Sequence, residues 1–278
     1  ILVVMALVPA MLFGMFNVGY QHLLATGQLA TGLTCALFWK AFGFGLLAVL
    51  PYIIVAYAVG LGIEFIVAQI KHEEVAEGFL VTGFIIPLIV PINTPLWQVA
   101  IAVAFAVIFA KEVFGGTGYN IFNVALITRA FLFFAYPSSM TGDKMFIRTE
   151  GTWGWDGGHA LVDGFTGATP LTQLATGTPV SQSFWDMVNG LIPGSVGETC
   201  IWAILLGAIL LIATGVASWK TMLAIFVGGG FTAWLFNQFG AADNLVGQYP
   251  WYFHLVSGGF AFGAVFMATD PVTSARTE

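Results

Sequence analysis

Charge is what this chain has least of. Only 8% of its 278 residues are Asp, Glu, Lys or Arg, against about a quarter in an ordinary soluble domain. So little charge cannot cover a surface that faces water, and the chain reads as a protein whose solvent is lipid. A mean hydropathy of +0.90 and 58% hydrophobic residues point the same way. Basic residues are scarcer than acidic ones. The formal net charge of −6 excludes nucleic acid as a partner, because phosphates need a basic surface. Cysteine is nearly absent: Cys35 and Cys200 lie far apart, without a CxxC pair. The chain alone can therefore hold neither an iron–sulfur cluster nor a structural zinc. Both cysteines read as small apolar packing residues, and Cys35 is also free to face the membrane or a partner. His22, His72, His159 and His254 lack ligand spacing, so no metal site is expected. Neither GxxxxGK[ST] nor GxGxxG occurs, which leaves no nucleotide cradle. The chain opens at Ile1 inside an apolar run and stops at Glu278 soon after a helix end, so it reads as part of a longer protein and offers no argument from a signal peptide.

What is present is a series of long apolar runs. A spanning helix needs about 20 mostly apolar residues. The candidates are Ile1 to Tyr20, Phe42 to Ile63, Phe79 to Val90, Pro95 to Ala110, Ile121 to Tyr136, Thr199 to Ser218, Thr221 to Phe239 and Trp251 to Thr269. The fold class is therefore all-α, a polytopic membrane protein with about eight or more transmembrane helices. The run Phe79 to Val90 is short and carries Pro87, with Pro91 just beyond it. It reads as a broken or re-entrant element of the kind that lines a cavity. The 26 Phe and 9 Trp suit a bilayer, with Trp favouring its interface.

Residues 137–198 depart from this pattern. They are rich in Gly, Thr, Ser, Trp and Asp and hold six acids but only two bases, Lys144 and Arg148. Such a stretch is expected in water or against a partner, on one side of the membrane. Its acidity favours the outside, since short basic loops stay in the cytoplasm. The chain divides accordingly into 1–136, a first helical repeat, 137–198, an extramembrane region, and 199–278, a second helical repeat cut short at its C-terminus. Faint echoes link the two helical parts, as in Ala135-Tyr136-Pro137 and Thr269-Asp270-Pro271, but do not establish a repeat by themselves.

Within the polar region stands Asp163-Gly164-Phe165-Thr166-Gly167-Ala168-Thr169-Pro170. On local chemistry alone it is a small-residue turn with one acid and two hydroxyls. The pattern Asp-x-x-Ser/Thr-Gly-Ala-Thr resembles the flavinylation motif of bacterial redox complexes, in which a transferase joins FMN through its phosphate to the last threonine. Glu77 to Gly83, Pro95 to Gln98, Lys111 to Asn120, Arg129 to Pro137 and Phe266 to Pro271 accompany it in order. Together they resemble the B-type membrane subunit of the sodium-translocating NADH:quinone reductases, over essentially the whole chain. The D-type subunit of the related Rnf complexes shares the flavin motif. One departure is Val124, where the family pattern has proline in Asn-Pro-Ala-Leu.

The resemblance implies inverted repeats like those of urea and ammonium channels. It implies FMN on Thr169, with Asp163, Thr166, Gly167 and Ala168 shaping the motif and Arg129 near the flavin phosphate or paired with an acid. It also implies a noncovalent riboflavin and ubiquinone as electron acceptor. The chain would be a multi-pass protein of the bacterial cell membrane, with its flavin on the periplasmic side. It would be catalytic only with the other subunits, one of which oxidises NADH. An FMN transferase, the bilayer and sodium ion would be further partners. Gly115 and Gly116, in Gly115-Gly116-Thr117-Gly118, form a turn by their residue types; the resemblance puts them near the quinone headgroup. Asp270 and Glu112 border apolar helices, where ionisable residues are functional by default, and are candidates for a sodium path. The plain alternatives are a helix-end cap for Asp270 and a pair with Lys111 for Glu112. The rival readings for the whole chain are the D-type subunit of an Rnf complex and a channel or transporter without a redox role; the Asp163 to Thr169 motif weighs against a channel.

Overall fold

A computed structural model describes residues 1–28, 34–72, 74, 78–141, 144–148, 167–240 and 245–274, and those residues are helical and loop structure without strands. The helices are α1 (Leu2–Ala25), α2 (Cys35–Lys71), α3 (Phe79–Ile89), α4 (Leu96–Ala106), α5 (Val124–Ala135), α6 (Pro170–Ala175), α7 (Phe184–Asn189), α8 (Ile201–Ala213), α9 (Trp219–Phe239), α10 (Leu245–Gln248), α11 (Trp251–Val256) and α12 (Phe260–Phe262). Two π-helical turns, Val107–Lys111 and Gly263–Met267, extend α4 and α12. Among the described residues, four helical segments are long and apolar enough to cross a membrane: Leu2–Ala25, Cys35–Lys71, Leu96–Phe114 and Trp219–Phe239. Three apolar helices, α3, α5 and α8, are shorter.

Packing starts where α1 crosses α2. A Cβ on Gly19 would run into the Ala41 backbone, and one on Gly45 into the Met15 carbonyl. Only glycine permits that approach, the usual way for helices to gain contact when lipid gives them no hydrophobic drive to associate. The other side of α1 packs on α8. Large apolar side chains such as Leu223, Val227, Phe231 and Trp234 stand exposed along α9. In water they would be an aggregation surface; in a bilayer they face their solvent.

The expected break after α3 is present. Val90 is extended (ψ 140°) and α4 begins only after Pro95. The freed backbone groups find protein partners, as lipid-embedded backbone must. The Tyr52 hydroxyl lies 2.5 Å from the Ile92 carbonyl and 2.7 Å from that of Thr94, its one proton shared. Asn93 Nδ2 donates to the carbonyls of Lys144 and Ile147, at 2.6 and 2.7 Å. Gly197 N–H donates to the Leu88 carbonyl at 2.8 Å. Ile147 and Arg148 are consequently buried. This part of the polar region is packed into the bundle rather than held in water, and burial lowers the Arg148 pKa from its ordinary value.

A second break corrects the reading of Trp251 to Thr269 as one span. The helix stops at Val256, Ser257 is extended, and Gly258 takes φ +59° before α12 starts. A Cβ on Gly258 would meet Leu171, and one on Gly259 would lie 2.5 Å from the Glu198 carboxylate. The two glycines let the backbone pass this close to α6 and to the start of α8.

Candidate functional site

Of the flavin motif, Asp163 and Thr166 lie outside the described residues. Gly167 is buried, Ala168 and Thr169 half-buried. Thr169 caps α6: its Oγ1 accepts from Thr172 N–H at 3.2 Å and shares a hydrogen bond with Thr172 Oγ1 at 2.9 Å. Pro170 takes the first helical position, where its fixed φ suits a helix start. Gln173 Nε2 ties the Ala168 carbonyl at 3.2 Å. Thr169 borders a cavity of about 80 Å³ together with Arg129, Gly194, Glu198, Gly258 and Gly259. Arg129 comes from the middle of α5 and forms an ion pair with Glu198. Two residues 40 positions apart, Arg129 and Thr169, thus border one hollow. By sequence Glu198 is only one acid among six in a polar stretch; its burial beside an arginine depends on the fold.

The remaining candidates gather at another place. Asp270 follows the second π turn. Its Oδ1 accepts from Val272 N–H at 3.2 Å and its Oδ2 from Thr273 Oγ1 at 2.9 Å, so it does cap its own turn. Asn123 Nδ2 also donates to Oδ2, at 3.0 Å, while Asn123 Oδ1 caps α5 through Ala125 and Leu126. One asparagine therefore joins the start of α5 to Asp270. Val124 is the first residue of α5, the position proline favours, so this departure from the family pattern leaves the helix start intact. Asp270 and Asn123 line an inner cavity of about 160 Å³, along with Thr82, Lys111, Asn120 and Thr269.

An outer cavity of about 260 Å³ lies beside it, bordered by Glu64, Lys71, Glu74, Lys111, Glu112 and Gly116, among others. Gly115 and Gly116 adopt φ +114° and +92°, conformations that glycine takes without penalty. Glu112 pairs with Lys71 at 3.2 Å, not with its neighbour Lys111. Lys111 instead forms an ion pair with Glu64, and both side chains are buried. Motifs and spacing miss Glu64. The signal available was a lone acid immediately after the apolar run Phe42 to Ile63, which intramembrane cost alone makes conspicuous.

The two places lie at opposite ends of shared helices. On α8 the Thr199 end borders the Thr169 cavity and Leu211 the inner cavity, about 18 Å apart at 1.5 Å per residue. On the α12 segment, Gly259 and Thr269 are placed likewise. His22 stacks on Phe44 at 3.8 Å and bonds the Arg148 carbonyl at 2.9 Å, a packing role.

The NQR2, RnfD, RnfE family pattern matches residues 1–278 without remainder. The chain belongs to the NQR2, RnfD, RnfE family. Among similar members, the B-type subunit of the Na(+)-translocating NADH-quinone reductase of Chromohalobacter salexigens is 44% identical over 289 residues, covering 97% of this chain and 67% of its own length. Its counterpart in Azotobacter vinelandii is 41% identical over 300 residues, covering 100% and 71%. That of Yersinia pestis is 40% identical over 312 residues, covering 100% and 72%. Membership of the NQR2, RnfD, RnfE family agrees with the helical, apolar architecture and with the order of motifs along the chain.

Proposed function

We propose that this chain is the B-type membrane subunit of a sodium-translocating NADH:quinone reductase, and that Thr169 carries FMN through a phosphoester. The observation that carries the flavin assignment is the meeting of Thr169 and Arg129 at one cavity. A guanidinium has five donors in a planar fork that matches a phosphate, and the pair with Glu198 uses NH1, leaving further donors for an anion. In attachment, the Thr169 hydroxyl loses its proton and forms a bond to the phosphorus of the FMN half of FAD. The bond from that phosphorus to the bridging oxygen breaks, and AMP leaves, under the FMN transferase. After esterification Thr169 Oγ1 can still accept from Thr172 N–H, though no longer donate to Thr172 Oγ1. The cavity is well below the roughly 300 Å³ of a small-molecule pocket. It suits the phosphoryl end, and the ring system would lie beyond it, against partner subunits or lipid.

Bound flavin would supply one-electron relay chemistry; the chain's part is to fix its position, burial and hydrogen bonding. Riboflavin belongs to the same reading without an assigned contact. Gly115 and Gly116, with left-handed backbone and no side chain of their own, would let a flat quinone ring approach the chain beside Tyr119 and Glu112. Asp270 and Glu112, each bordering one of the two adjoining cavities, would lie on the route of sodium. The helix directions are in keeping with inverted repeats of the urea and ammonium channel kind: α1 and α8 run oppositely between the same two ends. The domain division at 136 and 198 follows that pattern. The flavin end would face the periplasm of a bacterial cell membrane. The names of the similar proteins favour the reductase over the D-type subunit of an Rnf complex.

The test is peptide mass spectrometry across Gly167 to Pro170 of the complex purified from its native membrane. An FMN mass on Thr169 is expected. Thr169→Val should lose in-gel flavin fluorescence while the complex still assembles. A variant that keeps covalent flavin, or native protein without it despite co-expressed transferase, would overturn the assignment.

A further inference from the structure

The inner and outer cavities share Lys111 and Thr117 in their walls. Lys111, paired with Glu64, therefore belongs to the wall that the two hollows share. Both side chains of the pair are less than a tenth exposed. The outer cavity is bordered by exposed Glu74 and Tyr119, while the inner one is bordered by Asp270, Thr82, Asn123 and Thr269.

Charge makes the position of Lys111 consequential. Glu64, Glu74, Glu112 and Asp270 bring four negative charges to the two hollows, and Lys71 and Lys111 bring two positive ones. If Lys111 leaves Glu64, a buried carboxylate lacks a counter-charge, which is costly in a medium of low dielectric. A proton on Glu64 restores neutrality, and so does a small monovalent cation, a hard ion suited to the carboxylate, hydroxyl and amide groups that border the hollows.

Lys111 is also the last residue of a π turn. Such turns hold one extra residue and are frequent at functional sites. Converting this turn to an α-helix would rotate the residues at its end by about 100°, enough to take Lys111 away from Glu64. The second π turn ends three residues before Asp270, on the far wall of the inner cavity.

We propose that the Glu64–Lys111 ion pair is the closed gate of the sodium path, a barrier between the inner cavity at Asp270 and the outer cavity at Glu112. Lys111 is a tethered cation that exchanges with a mobile one. This rests on the reading of the chain as a sodium-translocating subunit.

The experiment uses the complete complex in sealed proteoliposomes, with NADH and a soluble quinone, and reads sodium moved per quinone reduced. For Glu64→Gln/Lys111→Met, the ratio should collapse, and preloaded sodium should leak without NADH. A double variant that keeps the wild-type ratio and does not leak overturns the gate. Wild-type complex that reduces quinone but moves no sodium overturns the transport reading itself, a distinguishable result. A second measurement needs no variant: a hydrophobic carbodiimide applied to wild-type complex, with Glu64 read by peptide mass spectrometry. Labelling is expected in NADH-reduced complex in potassium medium, with protection at rest and protection by sodium. Equal labelling in all three states overturns the proposal.

Discussion

At Glu64 and Lys111 two charges are held out of water by each other. Each has taken on a desolvation cost that only its partner offsets, so removing one should be far worse than removing both. Lys111→Met alone is expected to destabilise by about 3–5 kcal/mol, since Glu64 stays buried. Glu64→Gln/Lys111→Met should recover most of that loss. Thermal unfolding of the detergent-purified complex, with both single variants and the double, gives the coupling; additive single effects would mean that the pair does not hold this part of the bundle. Asp270 stands in contrast. It accepts from Asn123, Val272 and Thr273, so its charge is met by neutral donors and no cation has to move for it to be stable. Asp270 can be picked out by eye because an acid closes an apolar run before Pro271. Glu64 also closes an apolar run, but its pairing cannot be read the same way, because its partner stands 47 residues later and only the folded chain brings it near.

Where α11 stops and α12 starts, the two adjoining glycines do different work, and substitutions separate the two. Gly258 has φ +59°, so an alanine there is strained whatever the space around it. Gly259 has φ −86°, which any residue adopts; what forbids a side chain is the Glu198 carboxylate 2.5–2.9 Å from its Cβ position. Gly259→Ala should therefore cost about 1–3 kcal/mol by pushing Glu198 off Arg129. Glu198→Ala should relieve most of that cost, because Arg129 is a third exposed and water can take over part of the lost pairing. The melting temperatures of both single variants and the double check this; a Gly259→Ala cost undiminished by Glu198→Ala would place the strain elsewhere. The same junction explains what element-level reading can reach. The α3 break announces itself through Pro91 just beyond the helix end; Pro87 lies within α3, which runs on to Ile89. Ser257-Gly258-Gly259 sits in an apolar run where small residues also pack spanning helices, so composition alone favours one continuous helix. Thr169 and Pro170 carry their helix-start signal openly, whereas the approach of Arg129 to Thr169 rests on where α5 and α6 come to lie.

At the scale of the whole molecule, the two sites stand at the two ends of one bundle, and this has a consequence for sidedness. The direction of α8 and of the α12 segment leads from the Thr169 cavity to the Asp270 cavity. Helix α1 runs the opposite way between the same ends: Val3 borders the inner cavity, and Asn17, about 21 Å along the axis, bonds the Ile192 carbonyl at 2.9 Å beside the Thr169 cavity. Helix α2 returns, beginning at exposed Cys35 and ending at Lys71 beside the outer cavity. Its 37 residues span about 56 Å at 1.5 Å each, more than the roughly 30 Å of a hydrocarbon core. Cys35 and Lys71 must then lie near or beyond opposite faces of the bilayer unless the helix is strongly tilted. The covalent flavin would sit near one face, while the quinone-facing glycines and the charged cavities lie toward the other. In intact cells with a permeabilised outer membrane, a membrane-impermeant thiol reagent is expected to label native Cys35, and not Tyr119→Cys in a Cys35→Ser background. In inverted vesicles the pattern should reverse. Cys200 is buried and contributes no background in either case. Labelling of Cys35 and Tyr119→Cys from the same side would refute the opposed placement of the two sites. A complete reversal of both patterns would keep the two ends distinct but put Thr169 at the cytoplasmic face, and with it the site where flavin must be attached.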